Sequence, residues 1–122
     1  MRIGLIDDDI NFIQHFKQVC FPLLNQLEDV ELITSTTLLP LSSIEDLDLL
    51  FLDIQLKDEN GISYAMKLRE QLQSKILLVF MSSKNELVFE TMTTGPMYFI
   101  RKNNLEKDFE MFLKVFLTDH MS

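Results

Sequence analysis

The run Leu49-Leu50-Phe51-Leu52-Asp53 constrains this chain more than any other stretch. Four apolar residues follow one another without polar alternation and end in a carboxylate. A polar segment then leads to Gly61. A short continuous apolar run bounded by turn residues suits a strand covered on both faces. Such strands belong to parallel sheets with helices on either side, whose ligands sit outside the carboxyl ends of the strands. Asp53 falls at that end and is the first candidate for a reactive group.

The rest of the chain supplies partners for this strand. Ile3 to Ile6 form a short apolar strand closed by Asp7-Asp8-Asp9, and Asp9 is placed to cap the next helix. Ile10, Ile13, Phe16 and Cys20 recur there at helical spacing, and Pro22 should kink or end the helix, with Leu23, Leu24 and Leu27 in a second piece. Val30 to Thr36 read as an edge strand, and 38–46 as a short or irregular helix. Asn60 should cap a helix with Ile62, Ala65, Met66, Leu68 and Leu72 at core spacing. Ile76 to Met81 form a further buried strand ending at Ser82-Ser83. A helix is expected from about Asn85 to Thr93, broken by Gly95-Pro96, then a strand from Met97 to Arg101 ending at Lys102. Asn103 or Asn104 should cap a last helix carrying Leu105, Phe109, Phe112, Leu113, Phe116 and Leu117. Strand and helix thus alternate five times, which implies parallel βαβ units with right-handed crossovers and helices on both faces.

Composition narrows the function classes. A chain of 122 residues, 47% hydrophobic, has the size of one domain with an ordinary core. Its formal charge of -8 argues against direct binding of nucleic acid by this segment. Cys20 is the sole cysteine and reads as a buried small hydrophobe. No apolar run reaches the length of a membrane span, and the expected setting is cytoplasmic. The absence of G-x-G-x-x-G and of a P-loop speaks against a nucleotide site. His15 and His120 lack partner ligands at suitable spacing.

Reading off the strand ends collects Asp7-Asp8, Asp53, Ser82-Ser83 and Lys102 along one edge. Taken singly, each has an ordinary explanation: a helix cap, a loop cap, a turn hydroxyl, a surface ammonium. Jointly they form a set with a chemistry. Carboxylates held close together repel unless one is protonated or a cation compensates them. Oxygen donors without His or Cys select a hard cation such as Mg²⁺. A carboxylate beside such a cation and a lysine is arranged to attack a phosphoryl group, giving an aspartyl phosphate.

With these residues in hand, the chain resembles the receiver domain of two-component response regulators over essentially its whole length, as a single domain of 1–122. The resemblance rests on Leu5-Ile6-Asp7-Asp8-Asp9, on Leu50-Phe51-Leu52-Asp53 with Gly61 eight residues on, on Val79-Phe80-Met81-Ser82-Ser83, and on Gly95 to Lys102. Phe99-Ile100-Arg101-Lys102 and Asp53-Ile54-Gln55-Leu56 further resemble receivers joined to LytTR-type DNA-binding domains.

That resemblance implies a flavodoxin-like (βα)5 fold, a doubly wound five-stranded parallel sheet of order 2-1-3-4-5. It implies phosphorylation of Asp53 by a sensor histidine kinase. Mg²⁺ would be held by Asp8, by Asp7 mostly through water, by Asp53 and by the backbone carbonyl of Gln55. It also implies that Lys102 pairs with the phosphoryl group, and that Ser82 and Phe99 act as the switch pair. A homodimer would form on phosphorylation, and transcriptional output would lie in an effector beyond this segment. The domain would catalyse its own phosphorylation and dephosphorylation without being a metabolic enzyme.

Lys57 and Asn103 stand where receivers usually carry proline, and Pro96 replaces a usual alanine. The cis bond common in receivers after this lysine therefore does not carry over with the resemblance, since a cis non-proline bond costs about 3 kcal/mol. Two other readings share the fold: a phosphorylation-independent interaction module and a flavodoxin-like cofactor binder. The aspartates ending the first strand disfavour the second. A haloacid-dehalogenase-like phosphatase would need an aspartate where Gln55 stands.

Overall fold

In the computed structural model, residues 1–26, 29–56, 60–72, 76–83 and 97–121 are described. Five strands, β1 (Arg2–Ile6), β2 (Glu31–Ser35), β3 (Leu49–Asp53), β4 (Leu77–Ser82) and β5 (Met97–Arg101), pair in parallel in the order β2-β1-β3-β4-β5. That is the doubly wound order the sequence implied. β3 lies at the centre and is buried at every position, as its unbroken apolar run requires. β2 is an edge strand and only half buried.

Alternation along the strands divides the core into two layers. Ile3, Leu5, Leu49, Phe51, Val79 and Met81 face helices α1 (Ile10–Val19), α2 (Phe21–Asn25) and α4 (Leu105–Met121). Ile6, Leu50, Leu52, Leu78 and Phe80 face α3 (Gly61–Leu72) and the segment around Ile44 and Leu47. Aromatic contacts tie the first layer together: Phe16 meets Phe51 at 4.8 Å and Phe109 at 5.9 Å, and Phe51 meets Phe112 at 5.8 Å between ring centres. One residue of α1, one of β3 and two of α4 thereby fix both helices against the central strand.

Local signals behave as their chemistry dictates. Asp9 accepts from the N–H groups of Asn11 and Phe12, capping α1. Pro22 sits in the first turn of α2, where a missing N–H costs nothing, so the helix breaks and restarts there. Asn60 accepts from the Ile62 N–H at 2.8 Å. The weak 38–46 stretch holds a 3-10 turn at Leu41–Ser43.

Three expectations need correction. Ile10 and Met66 were placed at core spacing but are 54% and 52% exposed. At about 100° per residue both lie off the stripes that the helices bury. Those stripes run through Phe12, Ile13 and Phe16 on α1 and through Tyr64, Ala65 and Leu68 on α3. Tyr64 is held there because its hydroxyl donates to the Leu39 carbonyl at 2.6 Å. The third correction concerns the entry to α4. A 3-10 turn over Lys102–Asn104 leads into the helix, and Asn104 donates its side-chain amide to Asp108 rather than capping. The expected helix at 85–93, Gly95-Pro96 and Lys57 lie outside the described residues.

Candidate functional site

Register alone assembles the site. β1 and β3 run side by side with Ile6 opposite Leu52, so Asp7 and Asp53 leave the sheet next to each other. On the other side Asp53 is opposite Met81, and Ser82 is opposite Arg101. The carboxyl edge therefore brings together Asp7, Asp53, Ser82 and Lys102. Asp7, Asp53 and Ser82 are buried, at 0%, 2% and 4% exposure, whereas Asp8 is exposed.

Both buried carboxylates are held in the same manner. Asp7 Oδ1 accepts from the Asp9 N–H at 2.9 Å, and Asp53 Oδ1 accepts from the Gln55 N–H at 3.1 Å. Each thus spends one oxygen on the backbone two residues on, which orients the other. Those other oxygens meet at Lys102, whose Nζ lies 2.6 Å from Asp7 Oδ2 and 3.3 Å from Asp53 Oδ2. Beneath the ammonium lies the face of Phe12, 4.6 Å away at its centroid, in cation–π geometry.

The charges do not balance. One oxygen from each of Asp7, Asp8 and Asp53 lies within 4.8 Å of the others, and Lys102 offers a single positive charge. Burial pushes the Asp53 carboxyl up to about 6, against the pull of Lys102 and with the charge of Asp7 adding to the rise. Burial likewise raises Asp7, opposed by its bond to Lys102. Burial works against the charge on Lys102, but the bond to Asp7 and the charge of Asp53 outweigh it and hold the ammonium above its ordinary range. All-oxygen donors with a surplus of negative charge fit a hard divalent cation.

The junction after Asp53 depends on a glycine. A Cβ on Gly61 would stand 2.2 Å from the Asp53 carbonyl oxygen, far inside contact distance. Gly61 also donates its N–H to Ile54, whose own N–H bonds Met81. Gln55, exposed, makes an isolated antiparallel bridge with Asn60. The start of α3 is thus pressed directly against the backbone that carries the carboxylate.

Phe99 is half buried against the layer formed by Ile6, Leu52 and Phe80. Cys20 is fully buried, and burial pushes its thiol up to about 12, as an inert core residue requires. Sequence reasoning missed Phe12, whose i, i+4 relation to Phe16 was the available signal. It also missed Asp108, which reads as an ordinary acidic residue in a first helical turn.

Comparison with known proteins bears on this geometry. The response regulator receiver domain family is matched over residues 3–113. Among solved structures, a two-component response regulator from Clostridium difficile is similar at 21% identity and TM-score 0.73, covering 100% of this chain and 99% of that one. A CheY-like receiver domain protein from Methanospirillum hungatei JF-1 is similar at 24% identity and TM-score 0.71, covering 97% and 94%. A response regulator protein from Burkholderia pseudomallei, solved with a phosphorylated aspartic acid, calcium ion and citrate, is similar at 14% identity and TM-score 0.63, covering 87% and 62%. No curated protein is matched at a significant level. No helix among the described residues is long and apolar enough to cross a membrane.

Proposed function

The chain belongs to the response regulator receiver domain family, and from that membership we propose that it is a phosphoacceptor switch with Asp53 as the modified residue. The single observation carrying this reading is the convergence of Asp7, Asp53 and Lys102 at the central strand's carboxyl end, with Lys102 Nζ reaching both carboxylates. The donor is a histidine kinase's phosphohistidine. An Asp53 oxygen forms a bond to phosphorus while the P–N bond breaks, its electron pair returning to the imidazole, which takes a proton from solvent. Water later attacks phosphorus, the P–O bond to Asp53 breaks, and inorganic phosphate leaves with the carboxylate restored.

Asp7, Asp8, Asp53 and the Gln55 carbonyl hold Mg²⁺ in this reading. When bound, that cation neutralises charge on the phosphoryl oxygens. Lys102 offers its ammonium to the same oxygens once Asp53 is modified. Ser82, buried at the end of β4, donates its hydroxyl to a phosphoryl oxygen, and Phe99 follows inward. The aspartyl phosphate and calcium ion of the Burkholderia protein support this assignment by analogy of fold alone.

Output follows through the 85–117 surface, biasing formation of a homodimer in the cytoplasm and, through a LytTR-type effector, transcription. The test is labelling by a small acyl phosphate with Mg²⁺. Wild type takes one phosphoryl group and Asp53→Asn takes none. Equal labelling of both, or labelling indifferent to a chelator, sinks the proposal. If the fold dimerises with no response to Mg²⁺ and beryllofluoride, the domain is instead a phosphorylation-independent interaction module.

A further inference from the structure

Lys102 reaches Asp7 and Asp53 together, and no proline ring fixes its backbone, since Asn103 follows. The residues on either side are bound to one carboxylate. Asp108 Oδ2 accepts from the Arg101 backbone N–H at 2.8 Å and from Arg101 Nε at 3.0 Å. Its Oδ1 accepts from Arg101 Nη2 at 2.9 Å and from Asn104 Nδ2 at 2.9 Å. Four donors fill the acceptor sites of a carboxylate. The side chain of Asp108 is only 16% exposed and that of Arg101 45%, so the carboxylate is sheltered while its bidentate guanidinium partner reaches solvent.

The bonds bracket the lysine: one end holds the last residue of β5, the other the last residue of the 3-10 turn, and Lys102 and Asn103 lie between. We propose that Asp108 is the positioning residue for Lys102, a clamp that sets the reach of the ammonium to the two buried carboxylates. It touches neither carboxylate and acts through Arg101 and Asn104, the residues that bracket the lysine. This rests on the reading of Lys102 as part of the phosphoryl site, and it goes beyond that reading by assigning a residue outside the carboxyl edge.

A merely structural role would lower stability and leave the folded molecules unchanged at the site. The experiment therefore uses the whole chain with ¹⁵N-labelled lysine and follows the Lys102 Nζ resonance without phosphodonor. Wild type shows a slowly exchanging ammonium set apart from the solvated lysines. Asp108→Asn, which keeps the size but loses an acceptor oxygen, moves that resonance to the solvated position. Arg101→Ala leaves the backbone N–H bond in place and shifts it partway. Ile44→Val, a core truncation in the opposite layer, loses stability without moving it.

Per folded molecule, labelling of Asp53 falls about tenfold in Asp108→Asn, since small misplacement of a reacting group is costly. An ammonium resonance unmoved in both clamp variants overturns the proposal. A resonance that moves while wild type takes no phosphoryl group supports the clamp and sinks the phosphoacceptor reading instead.

Discussion

The two ends of the same sheet carry ionic clusters of opposite character. At the amino edge Arg2 pairs with Glu31 and Asp46 and donates its backbone N–H to Asp48. All of these side chains reach solvent: Arg2 is 35% exposed, Glu31 64% and Asp46 59%. At the carboxyl edge Asp7 and Asp53 are buried against one lysine. Exposed pairs are screened and contribute about 0–1 kcal/mol, whereas buried unbalanced charge destabilises the fold that holds it. The amino edge could be rearranged at small cost. The carboxyl edge keeps groups that stability alone would remove, which supports the site proposed there.

The largest expected effect is on transfer. Lys102→Met should slow labelling of Asp53 about 100-fold or more, the range for losing one charged stabilising group, measured by intact mass against time. The corresponding amino-edge change, Arg2→Met, should leave the rate unaltered, and an equal loss there would break the contrast.

Next comes Gly61→Ala. Its Cβ meets the Asp53 carbonyl at 2.2 Å, so the start of α3 must move. A stability loss of about 1–3 kcal/mol in denaturant titration is expected, together with slower labelling.

Mg²⁺ should stabilise the protein by roughly 2.7 kcal/mol at 100 times its dissociation constant, seen as a raised Tm. Asp8→Asn should weaken that response and Asp46→Asn should not.

The pH dependence sharpens the comparison further. Asp53 is held up to about 6 from an ordinary value of 3.8. In metal-free protein the native state therefore binds the extra proton between these values. Its contribution to stability is present below about pH 4 and is lost as pH rises through about 6, opposite to the usual carboxylate. Asp108, held below its ordinary value first by the Arg101 bond, does the reverse: its contribution is present above 3.8 and is lost as pH falls through its lower folded value. Chelator-treated protein should thus gain stability from pH 7 to 5, and Asp53→Asn should flatten that rise. The smallest effect is Asp46→Asn, within about 0.5 kcal/mol.

Most of the fold was legible because β3 and β4 leave no polar alternation to misread, and strand ends follow directly from where the apolar runs stop. The carboxyl-edge residues were legible for the same reason. Legibility failed where angle mattered more than spacing. Ile10 satisfies an i, i+3 count with Ile13 and Met66 an i, i+4 count with Ile62, yet both lie off the buried stripes, while Tyr64 was overlooked because its polar hydroxyl hides a buried ring. Asp108 could not have been found, since its significance is a three-dimensional bracket around Lys102 that no linear spacing encodes. Gly61 was visible as part of a motif, but the reason for it, a carbonyl oxygen at 2.2 Å, needed coordinates.

The central claim is that the buried, over-negative edge transfers phosphoryl groups to one residue. It is tested most directly by treating the protein with a small acyl phosphate and Mg²⁺, reducing the product with borohydride, and mapping the modified residue by mass spectrometry. The account predicts conversion at position 53 alone, giving homoserine there, and none when Mg²⁺ is chelated. Modification at Asp7, Asp8 or elsewhere, or conversion at 53 unaffected by chelation, would contradict it.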